Sequence, residues 1–195
     1  IGYYNKQEEC LIKLVDNPAA RNKLPVDAQV RHETSSGILY ATGNSGVYKI
    51  IPPLLKISKF EEMPTDVIQC FGYDEKDRKL EIPSCQFSYL DSSGIIWTIT
   101  ERNGLYKMVP VEGSDSLNNS FRMTNFTMND GLPSNNIKSI IDDGRGRLWL
   151  GTYYDGMSRF NIQSETFTNY YIGQGLPTNR FRTQSVARSE RGELY

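Results

Sequence analysis

The residues with the greatest chemical reach are few in this chain. It has one histidine, His32, and three cysteines, Cys10, Cys70 and Cys85, set far apart with no Cys-x-x-Cys pair. A metal centre needs three or four ligands converging on one point, and His32 has no Cys or His near it in sequence, so no metal site is expected. The thiols read as small apolar side chains filling β-sheet space, with one disulfide in an oxidising compartment as the other reading. Paired acids stand at Glu61-Glu62 and Asp142-Asp143. Sequence neighbours in a strand or tight turn do not face a common substrate as the carboxyl pair of a glycosidase must. No Ser-His-Asp set assembles around the one histidine, which lies in a strand-like run and reads as structural. The Gly-rich turns lack the Lys-Ser/Thr of a phosphate loop. No catalytic residue and no cofactor are expected, and the chain reads as non-enzymatic.

What the sequence does carry is a pattern of turns and short strands. Twelve Tyr, eight Phe and two Trp stand beside 16 Gly and nine Pro, a balance that favours strands and tight turns over helices. The 22 basic and 23 acidic residues nearly cancel and no Lys/Arg cluster forms, so a nucleic-acid partner is not expected. No apolar run approaches the roughly 18 residues that span a bilayer, so no membrane contact by this stretch itself is expected.

Four segments line up as copies of one repeat. They are Thr34-Ser35-Ser36-Gly37-Ile38-Leu39-Tyr40, Asp91-Ser92-Ser93-Gly94-Ile95-Ile96-Trp97, Asp143-Gly144-Arg145-Gly146-Arg147-Leu148-Trp149, and Ser189-Glu190-Arg191-Gly192-Glu193-Leu194-Tyr195. An aromatic follows the glycine by three in every copy, and the glycines are 57, 52 and 46 residues apart. Three copies run on to a short strand holding an aromatic and a basic residue: Gly46-Val47-Tyr48-Lys49-Ile50, Gly104-Leu105-Tyr106-Lys107-Met108 and Gly156-Met157-Ser158-Arg159-Phe160. The lead-in repeats as well, Gly131-Leu132-Pro133-Ser134-Asn135-Asn136 recurring as Gly175-Leu176-Pro177-Thr178-Asn179-Arg180, with fainter echoes at Ile82-Pro83-Ser84 and Leu24-Pro25.

Each unit reads as four short strands; in the third copy they are 137–141, 148–152, 157–160 and 166–171. Four-stranded units repeated at this spacing predict an all-β chain, a β-propeller fragment of four-stranded antiparallel blades with about three full blades and two half-blades. The boundaries this gives are 1–23 for the last two strands of a blade, blades at 24–81, 82–130 and 131–174, and 175–195 for the first two strands of another. The start at Ile1-Gly2-Tyr3-Tyr4-Asn5 is neither an initiator Met nor a signal peptide, and the end falls inside a pattern, so a piece of a longer protein is expected. The Trp or Tyr after each glycine reads as a wedge between blades rather than a ligand contact.

The span 131–152, Gly-Leu-Pro-Ser-Asn-Asn-x-x-x-Ile-x-x-Asp-x-x-Gly-x-Leu-Trp-Leu-Gly-Thr, together with Gly-Met-Ser-Arg-Phe at 156–160, closely resembles the two-component regulator propeller repeat. The first two copies depart from it, with Tyr40 in place of Trp and Thr98-Ile99 where Gly-Thr is usual. The resemblance implies the sensor region of a hybrid two-component histidine kinase/response regulator of Bacteroidetes type. It implies a periplasmic place, as the extracytoplasmic part of an inner-membrane protein whose kinase domain lies elsewhere in the full-length chain. It further implies an oligosaccharide as ligand and a homodimer in the full-length receptor. A sialidase Asp-box is the rival motif, but here the Asp-to-Gly spacing is one longer and Ile96 or Leu148 replaces its Thr.

Blade geometry then places the candidate ligand-binding residues. The second-to-third turns and the fourth-to-first connections share the top face of a propeller, where binding is common. The candidates there are Arg102, Asn103, Tyr153, Tyr154, Asp155, Asn179, Arg180 and Arg182, with Asn44-Ser45, Glu101 and Asn135-Asn136 in corresponding places. Amides, an Arg fork and Tyr faces suit sugar hydroxyls and uronic or sulfated groups. Asn135 and Asn179 have a second reading, closing their own turns with side chain to backbone bonds. The alternative for the whole chain is a non-catalytic propeller scaffold for protein interaction or dimerisation.

Overall fold

In the computed structural model the described residues are 2–5, 10–13, 24, 29–33, 38–51, 66–111, 120–183, 185–189 and 191–195. They are all-β apart from two single-turn 3-10 segments. Of Cys10 and His32 only the strand positions are described, and Glu61-Glu62 and Thr34 to Gly37 lie outside the described residues. The chain divides into two compact units, 1–85 with 110–121, and 86–109 with 122–195.

In the first unit β1 (Gly2–Asn5) pairs antiparallel with β2 (Cys10–Lys13), Gly2 opposite Lys13 and Asn5 opposite Cys10. Strands β3 (Gln29–Glu33), β4 (Leu39–Gly43), β5 (Gly46–Ile51) and β6 (Asp66–Gln69) follow one another in a four-stranded antiparallel sheet. The two-residue turn Asn44-Ser45 joins β4 to β5, and Gly43 pairs with Gly46 across it. Tyr40, Ala41, Val47, Tyr48 and Ile50 are buried, and the Tyr40 ring meets Phe121 edge-on at 5.9 Å. Burial pushes the Tyr40 phenol up to about 12 and the Cys70 thiol likewise to about 12. Cys70 and Cys85 are both buried and not joined in a disulfide. A small hairpin not foreseen in the sequence, β7 (Phe71–Tyr73) with β8 (Lys79–Leu80), follows β6. Asp74 makes its turn by accepting from the backbone N–H of Lys76 and Arg78, both at 2.9 Å.

The second unit is built from two sheets. β9 (Phe87–Leu90), β10 (Ile96–Ile99), β11 (Leu105–Pro110) and β12 (Ser120–Phe126) lie side by side in that order, reversed in direction where register is defined. β13 (Ile137–Asp142), β14 (Arg147–Thr152), β15 (Met157–Asn161) and β16 (Thr166–Tyr170) form a four-stranded antiparallel meander. Alternate residues of β14 and β15 are more deeply buried, as period-two side-chain direction requires. Leu148, Leu150 and Phe160 turn towards Trp97, Ile99, Leu105 and Phe126 and share one core with them. Trp97 is the wedge: its ring meets Phe160 of the other sheet at 5.3 Å and stacks on Phe126 at 6.3 Å. Removing an indole of this depth from water contributes on the order of 1.5–3 kcal/mol.

The aromatic is held by the aspartate six residues before it. Asp91 accepts from the backbone N–H of Ser93 and Ile95 and from Trp97 Nε1 at 3.0 Å. Asp143 accepts from the Arg145 N–H, from Arg147 Nε at 2.5 Å and from Trp149 Nε1 at 3.4 Å. One carboxylate thus closes the turn and fixes the indole, which explains the Asp-x-x-Gly-x-x-Trp spacing.

Among the described residues near the end, the chain pairs back on itself antiparallel: Ala187 and Tyr195 exchange N–H to carbonyl bonds at 2.9 Å, Ser189 N–H donates to Glu193 O at 2.9 Å, and Arg188 bridges to Leu194. The residues matching Gly151-Thr152 in the second copy are Ile99-Thr100, not Thr98-Ile99. Thr100 N–H donates to Gly104 O at 3.1 Å just as Thr152 N–H donates to Gly156 O at 3.0 Å. The threonine is kept, and only the glycine differs.

Candidate functional site

A built loop follows β12, and another of the same design follows β16. After β12 the chain makes a 3-10 turn at Met128–Asp130, and after β16 another at Ile172–Gln174; both end on a left-handed glycine, Gly131 (φ 103) and Gly175 (φ 101). Asn135 Oδ1 accepts from Met128 N–H and Asn179 Oδ1 from Ile172 N–H, each at 2.8 Å. Their carbonyls accept from Gly104 N–H at 3.0 Å and Gly156 N–H at 2.9 Å, tying each loop to the neighbouring hairpin turn. Gly104 and Gly156 have φ near +80 and +79, and a Cβ on either would run into the carbonyl oxygen of Phe126 or Tyr170. Asn179 therefore closes its own loop, as the structural reading of that side chain supposed.

On this frame the side chains of the β14–β15 turn and of the second loop converge. Tyr153 and Tyr154 have ring centroids 4.1 Å apart, and the Arg180 guanidinium lies 5.3 Å from the first ring and 5.1 Å from the second. Arg180 Nη2 donates to Tyr153 Oη at 3.4 Å. Lys138, the second residue of β13, adds its ammonium 5.3 Å from the Tyr153 ring and 3.1 Å from Glu101 Oε1 in the β10–β11 turn. Hydrogen bonds from Tyr154 and Arg180, then the charges of Arg180 and Lys138, hold the Tyr153 phenol below its ordinary range; its bond to Tyr153 pushes the Tyr154 phenol up. Tyr154 remains 56% exposed. The Asn136 side-chain oxygen is buried and has no hydrogen-bond partner among the described residues.

Of the candidates, then, Tyr153, Tyr154 and Arg180 come together, with Asp155 in the same turn, where its N–H donates to Thr152 Oγ1. Arg102 and Asn103 are exposed on the β10–β11 turn beside Glu101, the Asn103 N–H bonded to Thr100 Oγ1. Arg182 is exposed, and its carbonyl accepts from Ser185. Lys138 does not stand out in the sequence, although a lysine directly after the first residue of an apolar-rich strand is the signal that would have found it. In the first unit, Asn44 and Ser45 border an open cleft of about 620 Å³ with Gln69, Phe71 and Lys79. There Ser84 Oγ donates to Asn44 Oδ1 at 2.8 Å.

The loop, the aspartate-held indole and the threonine-closed turn all fall within one stretch of sequence. Residues 131–154 match the two-component regulator propeller repeat. Two solved structures from B. thetaiotaomicron are similar in fold. One is the extracellular domain of the protein named as hybrid two component system BT4673, at a TM-score of 0.59 and 15% identity, over 84% of this chain and 20% of that one. The other is the extracellular domain of the protein named as hybrid two component system BT3049, at 0.51 and 19%, over 100% of this chain and 29% of that one. The chain thus spans between a fifth and a third of the structures it matches. No curated protein sequence matches it. The fold is that of a β-propeller fragment, and the match to the two-component regulator propeller repeat covers residues 131–154 of it.

Proposed function

We propose that this chain is part of the extracytoplasmic ligand-sensing propeller of a hybrid two-component sensor kinase, and that its ligand is an oligo- or polysaccharide. The observation that carries the reading is the convergence of Tyr153, Tyr154 and Arg180 at the sheet ends, on turns whose backbone is fixed by repeat-encoded bonds. A propeller holds its turns rigid and varies their side chains, which is how one scaffold serves many ligands. Tyrosine rings and a guanidinium give flat apolar faces beside fixed donors, the chemistry a sugar ring asks for. The neighbouring folds belong to extracellular domains of proteins named as hybrid two-component systems, which supports a sensor on the outer side of the membrane.

The test is calorimetry of the intact chain against a panel of oligosaccharides. At least one is expected to bind, and Tyr154→Ala is expected to weaken it by about 1–2 kcal/mol, the worth of the apolar area that the ring would cover. A folded sample that binds no glycan sinks the saccharide reading and leaves the propeller as an interaction scaffold.

A further inference from the structure

We propose that the Tyr153, Tyr154 and Arg180 site takes an acidic saccharide, one bearing a carboxylate or a sulfate, and that Arg180 is the group that holds the acid. This rests on the saccharide-sensor reading and narrows its ligand class. Two cations, Arg180 and Lys138, converge on the Tyr153 ring, whereas one carboxylate, Glu101, is in contact with the pair, and it meets Lys138. No carboxylate pairs with Arg180 among the described residues; its partners are the two tyrosine rings and the Tyr153 hydroxyl. Stacking on two rings fixes the plane of a guanidinium, and a fixed planar fork matches a carboxylate or sulfate two-pronged, which a lysine cannot do. The Tyr153 phenol lies within this positive field, drawn down by its hydrogen bonds with Tyr154 and Arg180 and by both cations. A neutral sugar would leave that field facing water, while an acidic one would meet it with charge-assisted bonds. The exposed Tyr154 ring is placed to cover a sugar face while the acid sits on Arg180.

The experiment is calorimetry of the intact chain with two matched pairs: tetragalacturonate with its methyl ester, and a sulfated galactan tetrasaccharide with its desulfated form. One acid is expected to bind, which distinguishes carboxylate from sulfate, and its neutral counterpart should be weaker by about tenfold or more, the loss of a hydrogen bond to a charged group. Arg180→Gln should weaken the acid by about the same factor while leaving the urea midpoint in place, since Arg180 is an exposed side chain. Glu101→Gln should strengthen the acid by about twofold to fivefold, as removal of a partly exposed competing charge allows. Equal affinity for acid and neutral forms, unchanged binding in Arg180→Gln, or binding of neither acid overturns the inference. If a neutral oligosaccharide binds and Tyr154→Ala abolishes it, the sensor reading survives without the acid; if no saccharide binds, both fall.

Discussion

The two loop-to-hairpin junctions of the second unit share a backbone and differ in side chains. In the first, Asn135 ties Met128 and Gly104, and the corner positions are Glu101 and Arg102, both exposed, and the half-buried Asn136. In the second, Asn179 ties Ile172 and Gly156, and the same positions hold Tyr153, Tyr154 and Arg180. The first junction is closed by an ion pair between Glu101 and Lys138; the second by a guanidinium stacked on two phenols. Beneath each surface the packing also trades volume. Ile99 and Ile137 fill the first core, whereas Gly151 makes room for Phe181 in the second, where a Cβ would come within 2.8 Å of the ring. The lesson is that the repeat fixes bonds between backbone groups, so that both the exposed corner and the buried pair beneath it are free to vary.

The sharpest way to break the equivalence is through the two indoles. Trp97 is fully buried between sheets, whereas Trp149 is half-buried, stacked on Tyr170 at 5.6 Å and bordering an apolar cleft with Phe181 and Leu194. Trp97→Ala is expected to cost about 3–5 kcal/mol in urea unfolding, and Trp149→Ala about half of that. Equal costs would mean that the cleft beside Trp149 is as closely packed as the core around Trp97. Next in size is the volume trade. Gly151→Ile should destabilise by about 1–3 kcal/mol through overpacking against Phe181, and adding Phe181→Ile should recover most of it. Additive costs in that double-mutant cycle would show that the two positions are not a coupled pair.

Much of this frame is legible in the amino-acid sequence. Strands β13 to β16 lie within one residue of the positions read from the sequence at their described ends, because Gly turns and period-two alternation mark both ends of a short strand. The aspartate-to-indole bond does not follow from spacing, since it depends on which way each side chain leaves the strand. Site residues are legible only as exposed corners. Tyr153, Tyr154 and Arg180 stand where copies disagree, but Lys138 joins them from the neck of an apolar strand, where its neighbours disguise it. Asn179, by contrast, reads from sequence as either a ligand residue or a loop tie, and its side-chain oxygen accepts the Ile172 N–H that a tie requires.

The smallest effect is also the most specific to one copy. The donors to the Asp91 carboxylate are two backbone N–H groups and an indole, all neutral, whereas Asp143 also receives the Arg147 guanidinium. Burial alone would raise the Asp143 carboxyl, yet the bonds from Arg145 N–H, Arg147 and Trp149 outweigh it and hold the group below its ordinary value of 3.8. A carboxyl whose folded-state pKa is depressed lends stability that is fully present above the unfolded pKa and disappears as pH falls through the folded one. Asp143→Asn should therefore cost about 1–2 kcal/mol at neutral pH, the worth of a hydrogen bond to a charged group with a partly exposed partner. That difference should begin to shrink as pH drops below the ordinary carboxylate range and should be gone once both states are protonated. Urea midpoints of the two proteins across that range measure it. A gap that stays constant with pH would mean that the turn needs only an acceptor at Asp143, as at Asp91, and that Arg147 adds no charge-dependent stability to the third copy of the repeat.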